Sequence, residues 1–264
     1  MKTLNTINMK YNIIAQAVAN DNIPLYIYKY MDIECAKAII KHNTIRFKSA
    51  PEFNDPFDGK AYVSGKRISV EDIYSHFDLT SLPAQKRDKE LNLKIMDLNA
   101  LHDVANAVYA EFDAHTAITC FSEVDDSLLM WAHYSNKHEG VCMKFDISKD
   151  LDFFSILAKV KYKEDFVAYD FSEVEKHIFD QYTTKGLDWK YEHEIRLIKI
   201  NTVPGDFKFN KESLVEITFG CKSHKEDIDE IGEILKQHNY NGINLRMAMI
   251  ASENYKLNFF PLPF

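Results

Sequence analysis

Two glutamates one residue apart, Glu192 and Glu194, with Arg196 just beyond them, make Trp189-Lys190-Tyr191-Glu192-His193-Glu194-Ile195-Arg196 the most chemically loaded stretch of the chain. Read as part of a strand over residues 189–200, the run alternates faces, so Glu192, Glu194 and Arg196 project together. His193, Ile195 and Leu197 then point the other way, toward a core. Two carboxylates so close repel, and one acquires a raised pKa unless Arg196 compensates. In a cleft, one Glu could polarise a hydroxyl while the other positions an attacking group. On an open surface the same pattern is a solvated face with a Glu194–Arg196 ion pair worth about 0–1 kcal/mol. The pattern alone leaves both readings open.

Two further constellations carry polar groups among aromatics. Phe53-Asn54-Asp55-Pro56-Phe57 is a turn former, because Asn and Asp side chains bond their own backbone ahead of a proline. It reads either as a structural turn anchored by two buried phenylalanines or as a cleft loop offering Asn54 or Asp55 to a ligand. Cys120-Phe121-Ser122-Glu123 followed by Met130-Trp131-Ala132-His133-Tyr134 puts a hydroxyl, a carboxylate, an indole and an imidazole close in sequence. His133 could act as a base, yet no nucleophile and acid lie at diagnostic spacing, and a histidine between Trp and Tyr equally serves as a hydrogen-bonded structural residue.

The elements that must position these groups follow from periodicity. Strands are predicted at residues 25–30, 44–48, 117–121, 140–146, 159–162, 189–200, 213–219, 242–247 and 255–260. Helices are predicted over 11–19, from an Asp32 cap to about 42–43, through 70–112 with a polar interruption, briefly over 126–134, over 171–183, and over 225–238, where Ile228, Ile231, Ile234 and Leu235 share one side. Strands outnumber helices without strict alternation. That pattern predicts an α+β fold with a mixed or antiparallel sheet and packed helices. The domain reading is an N-terminal helical segment over 1–24 and one α+β domain over 25–264, with a helical insertion at about 70–112.

The 264 residues have ordinary globular composition: 46% hydrophobic, 27% charged and 13% aromatic. A net charge of −8 argues against broad electrostatic binding to DNA or membrane, while leaving room for a local basic groove. Cys35, Cys120, Cys142 and Cys221 form no CxxC pair, so no metal site is expected. No GxGxxG or GxxxxGK[ST] phosphate cradle occurs. The first 20 residues lack a long apolar run, and with unpaired cysteines the expected compartment is the cytoplasm.

Leu25-Tyr26-Ile27-Tyr28-Lys29-Tyr30, Phe53-Asn54-Asp55-Pro56-Phe57, Cys120-Phe121-Ser122-Glu123, Met130-Trp131-Ala132-His133-Tyr134, Gly140-Val141-Cys142 and Trp189 to Arg196 together resemble the bacterial family catalogued as domain of unknown function 2971, over about residues 25–220. A weaker resemblance is to ADP-ribosyltransferases, in which a split mixed sheet holds NAD in a cleft. It implies that Tyr28 or Tyr30, with Lys29 between them, contacts NAD, that Ser122 shapes the nicotinamide pocket, and that Glu192 and Glu194 steer ribosyl transfer. Asn54, Trp131, His133, Tyr134 and Arg196 complete the contacts so implied. The expected function is mono-ADP-ribosylation of a protein or nucleic-acid acceptor, with NAD consumed as substrate, in a toxin or phage-defence effector. Two other readings stand beside it: a non-enzymatic nucleotide- or partner-binding sensor, and a Mg²⁺-dependent hydrolase or nuclease using Glu192, Glu194 and Asp55.

Overall fold

The computed structural model describes residues 23–59, 62–63, 110–166, 168–169 and 179–263. The helices predicted over 11–19 and over most of 70–112 and 171–183 lie outside these residues.

Aromatic and β-branched alternation produces the first strand, β1 (Tyr26–Met31), and Asp32 then caps helix α1 (Ile33–His42) by accepting the Cys35 amide. Asn43 ends the helix in the left-handed conformation and turns the chain into β2 (Thr44–Phe47). After the two-residue β3 (Tyr62–Val63) come β4 (Thr116–Ser122), helix α2 (Leu128–Tyr134) and β5 (Val141–Asp146). Short strands follow: β6 (Leu157–Lys159), β7 (Lys161–Lys163), β8 (Ala168–Tyr169) and β9 (Thr184–Gly186). The rest is β10 (Glu194–Ile200), β11 (Gly205–Lys208), β12 (Leu214–Phe219), helix α3 (Lys225–Gln237), β13 (Asn244–Ile250) and β14 (Leu257–Leu262).

Eight strands form one mixed sheet in the order β14-β13-β12-β5-β1-β4-β10-β6. The β12–β13 pair is parallel, joined by the α3 crossover, and the other neighbours are antiparallel. The fold is therefore α+β around a mixed sheet, as the strand-rich pattern predicts. Pairing is long on both sides of the centre: β1 runs with β5 from Tyr26↔Asp146 to Met31↔Val141, and β10 with β4 from Glu194↔Ser122 to Ile200↔Thr116. Between β1 and β4 the register holds at Tyr28↔Ser122 alone. This seam divides the sheet into a five-stranded and a three-stranded half.

Alternation along the strands gives the sheet two unlike faces. Ile27, Met31, Met143, Phe145, Ile195, Leu197, Ile217 and Phe219 form the main core with Ile39 and Ile40 of α1 and Ile231, Ile234 and Leu235 of α3. Phe121, Phe145, Phe153, Phe154 and Phe209 interlock there edge to face or tilted, with centroids 5.0–6.2 Å apart. Buried Lys37 ties α1 to α3, its Nζ 2.6 Å from Glu230 and 3.4 Å from Asp227. The opposite face carries Tyr28, Tyr30, Cys142 and Ala248 under Met130 and Trp131 of α2. Gly140 lets the α2–β5 connection pass close to β1, since a Cβ there would lie 2.2 Å from the Met31 carbonyl oxygen.

The single strand predicted over 189–200 is two structures. Leu187–Glu192 is a 3-10 helix, and β10 begins only at Glu194. His193 makes the join with φ 45° and ψ 49°, a left-handed conformation that a continuous strand cannot contain. Glu192 therefore owes its position to a turn and not to strand alternation. Backbone bonds hold that turn: Ser122 Oγ donates to the Glu192 carbonyl at 2.7 Å, Ser127 Oγ to the Tyr191 carbonyl at 3.2 Å, and the Glu123 amide to the His193 carbonyl at 2.9 Å.

Candidate functional site

The face under α2 holds a dense group of buried charges. Glu194 and Arg196, two residues apart on β10, share a side of the sheet, and Arg196 is 0% exposed. Its guanidinium spans two carboxylates. Nε and Nη2 donate to Glu194 at 2.8 and 3.1 Å, while Nη1 and Nη2 reach Asp58 at 2.8 and 2.6 Å. A further bond from Nη1 to the Tyr182 carbonyl, at 3.0 Å, and the Phe53 ring 5.1 Å from the guanidinium complete its surroundings. Lys185 of β9 supplies the second cation, 2.6 Å from Glu192, 3.3 Å from Glu194 and 3.7 Å from Asp58. Tyr134 closes the group from α2, donating to Glu192 at 2.5 Å, with Asn54 beside the same tyrosine.

Three carboxylates thus meet two cations, all nearly excluded from water. Each pKa reflects a balance between burial and neighbours. Burial pushes Glu194 up, but Arg196 and then Lys185 outweigh it and hold the carboxyl at about 2. At Glu192 burial wins over Lys185 and Tyr134, so its pKa is raised. Burial lowers Lys185, yet Glu194 and Glu192 overcome that and keep the ammonium above its ordinary range. The two glutamates are accordingly unlike: Glu194 is a fixed negative charge, and Glu192 takes a proton more readily than a free carboxylate.

A cavity of about 140 Å³ opens against this group. Glu192, Glu194, Asp58 and Lys185 form its charged wall. Tyr28, Tyr30 and Tyr134 face it with Asn54 and Phe53 at the rim. Burial, and after it Asp125, pushes the Tyr28 phenol up to about 12, so it stays a neutral donor. Tyr30 donates to the Val124 carbonyl at 2.9 Å, which fixes its ring. Lys29 belongs by alternation to the other face, but it borders the cavity at the seam, its Nζ donating to Thr119 Oγ1 and the Cys120 carbonyl, each at 2.9 Å. Burial lowers its pKa. Cys120 also lines the cavity beside Glu194, and burial keeps its thiol protonated.

The structure thus gathers Tyr28, Lys29, Tyr30, Asn54, Tyr134, Glu192 and Glu194 around one space. The other candidates stand elsewhere. Ser122 is buried on the same face but spends its hydroxyl on the Glu192 carbonyl. Trp131 is wholly buried, its indole N–H bonded to the Asp125 carbonyl at 2.8 Å and its ring edge-on to Tyr30. His133 is exposed on the outer side of α2, beside Tyr191. Arg196 lies behind the carboxylates and off the cavity wall. Phe57, read as a buried anchor, is 63% exposed, because Asp55 already holds the turn by accepting the Phe57 amide at 2.9 Å. Asp58 and Lys185 join the site from outside the runs that the sequence pattern marks. Neither sits in a pattern that marks it, and both are recruited by tertiary contact.

Among the described residues no group of three or more His, Cys, Asp or Glu side chains is arranged to hold a metal ion, and no helix is long and apolar enough to cross a membrane. Residues 130–197, which span α2 through the first half of β10, match the family model described as "Protein of unknown function (DUF2971)". The match includes Tyr134, Lys185, Glu192, Glu194 and Arg196. No curated protein and no solved structure matches the chain.

Proposed function

We propose that the chain is an NAD-consuming enzyme of the ADP-ribosyltransferase type, with the Glu192/Glu194 cavity receiving the nicotinamide–ribose end. One observation carries the reading: three carboxylates face two cations in a water-poor, tyrosine-lined cavity. The wall of Glu192, Glu194 and Asp58 suits a cationic group, and the nicotinamide ring of NAD is cationic. A volume of about 140 Å³ takes one ring or sugar rather than a whole dinucleotide, whose remainder would extend outward past Asn54.

In this scheme the bond between ribose C1′ and the nicotinamide nitrogen breaks, and its electron pair leaves with nicotinamide. The charge moves to the ribose as an oxocarbenium ion. Glu194, ionised at every working pH, stabilises that charge without reorganising. The acceptor nucleophile, on protein or nucleic acid, then bonds to C1′ and gives its proton to Glu192, whose raised pKa fits a base that must hold a proton. Tyr134 orients Glu192 through its hydroxyl.

The test is release of nicotinamide from NAD, read by chromatography beside a thermal-shift titration. NAD is expected to raise Tm, and Glu194→Gln, which removes the charge that stabilises the oxocarbenium ion, to cut release by about 10²–10³ with the fold retained. Equal release by wild type, Glu192→Gln and Glu194→Gln would sink the proposal. Saturable NAD binding with no product would replace it by the sensor reading.

A further inference from the structure

A second cavity, of about 300 Å³, adjoins the first through the shared Lys185 side chain. Its walls combine exposed aromatic rings with carboxylates. Phe57 and Phe166 are 63% and 52% exposed, their centroids 6.2 Å apart and their planes tilted by 45°. Trp189 joins them. Asp55, Glu164, Asp165 and Asp188 supply four carboxylates against Lys163 and Lys185, and the Lys185 charge is already spent on Glu192, Glu194 and Asp58. Rings that prefer water exclusion and an excess of negative charge ask for the same ligand, a cation with a flat apolar face.

An independent feature points the same way. Gln181, only 3% exposed, lines this cavity with its side-chain carbonyl Oε1 unpartnered among the described residues. Its amide nitrogen donates to the Gly59 carbonyl, which fixes the orientation of the group, and the acceptor Oε1 is closed to water in the wall of the cavity. A buried acceptor without a donor is costly, so the site is complete only when a ligand brings an N–H.

We propose that this cavity is a guanidinium-binding pocket. The planar cation lies against the Phe57/Phe166 platform, donates one N–H to Gln181 Oε1 and pairs with the carboxylates of Asp55 and Asp188. A guanidinium meets these demands together, because it offers several donors in one plane and stacks on rings, whereas an ammonium offers a point charge. The assignment does not depend on any reaction in the neighbouring cavity.

Trp189 reports on the pocket directly, since Trp131, the only other tryptophan, is wholly buried. Methylguanidinium titrated into the full chain is expected to change tryptophan emission saturably in the millimolar range, and Trp189→Phe to remove the signal. Methylurea, flat and donor-bearing but neutral, is expected not to bind. Asp188→Asn on the exposed rim should weaken binding about five- to thirtyfold, and so should Gln181→Met, whose retained fold is checked by a single cooperative thermal transition of the unliganded protein. Agmatine and a Gly-Arg-Gly peptide compare the two sources of the group: tighter binding of the peptide assigns the pocket to an arginyl side chain, and tighter binding of agmatine to a free metabolite. Equal affinity for methylurea, tighter binding of adenosine monophosphate at the same site, or no saturable response to methylguanidinium would overturn the proposal. None of these readings involves NAD turnover, so the two proposals fail separately.

Discussion

Two ionic groups lie on the same face of the sheet, one on each side of β1, and they are built differently. On the β10 side, Arg196 has no exposure and binds Asp58 and Glu194 through four hydrogen bonds. On the β13 side, Arg246 is 23% exposed in its side chain, donates to Asp125 at 2.6 Å and lies 2.8 Å from Glu216 as an ion pair. Each places one guanidinium between two carboxylates. Only the first adds a second buried cation, a tyrosine hydroxyl and a cavity. Water still reaches the β13 group and screens it, whereas the β10 group must satisfy its charges internally. A chain that needed only stability could fill that space with apolar side chains, and it is to this β10 side that we assign the proposed activity.

The contrast can be broken by removing each guanidinium in turn. Arg196→Met leaves Asp58 and Glu194 buried beside Lys185 alone and should cost about 3–5 kcal/mol in urea unfolding. Arg246→Met exposes its partners to water that is already near and should cost about 1–2 kcal/mol. Equal losses would show that burial does not separate the two groups. Acid sharpens the comparison further. Glu194 holds a pKa of about 2 when folded, below its ordinary 4.5, so its contribution is full above 4.5 and is lost as pH falls through about 2. Near-ultraviolet circular dichroism of wild type should therefore show stability falling across that window, and Glu194→Gln should flatten that part of the curve.

Much of this arrangement is visible before the fold is known. Asp32 and the Ile39/Ile40 side mark α1, the isoleucines at 228, 231 and 234 mark α3, and alternation marks most strands of the sheet within a residue or three. These signals are local, because a helix cap or a two-residue period is written in neighbouring residues. The Glu192–Arg196 run advertises the site for the same reason. What escapes is set by distance. Asp58 and Lys185 meet Arg196 and Glu192 through the packing of separate segments, and their flanking residues look like ordinary loop. Trp, Tyr and Ile around Glu192 favour β structure and predict a strand there. The left-handed turn at His193 overrides that preference, and the bonds that hold it come from Ser122, Ser127 and Glu123, far away in sequence.

The seam at Tyr28↔Ser122 has a mechanical meaning. The sheet behaves as two stiff plates joined by one rivet, with Tyr28 and Tyr30 on one plate and Cys120, Glu194 and Arg196 on the other. Small sliding of the plates strains few backbone bonds, since few cross the joint, and the Lys29 ammonium resting on the Cys120 carbonyl acts as a soft spring beside the rivet. The tyrosine wall and the carboxylate wall thus face each other across the joint of the eight-stranded sheet that the fewest paired residues hold.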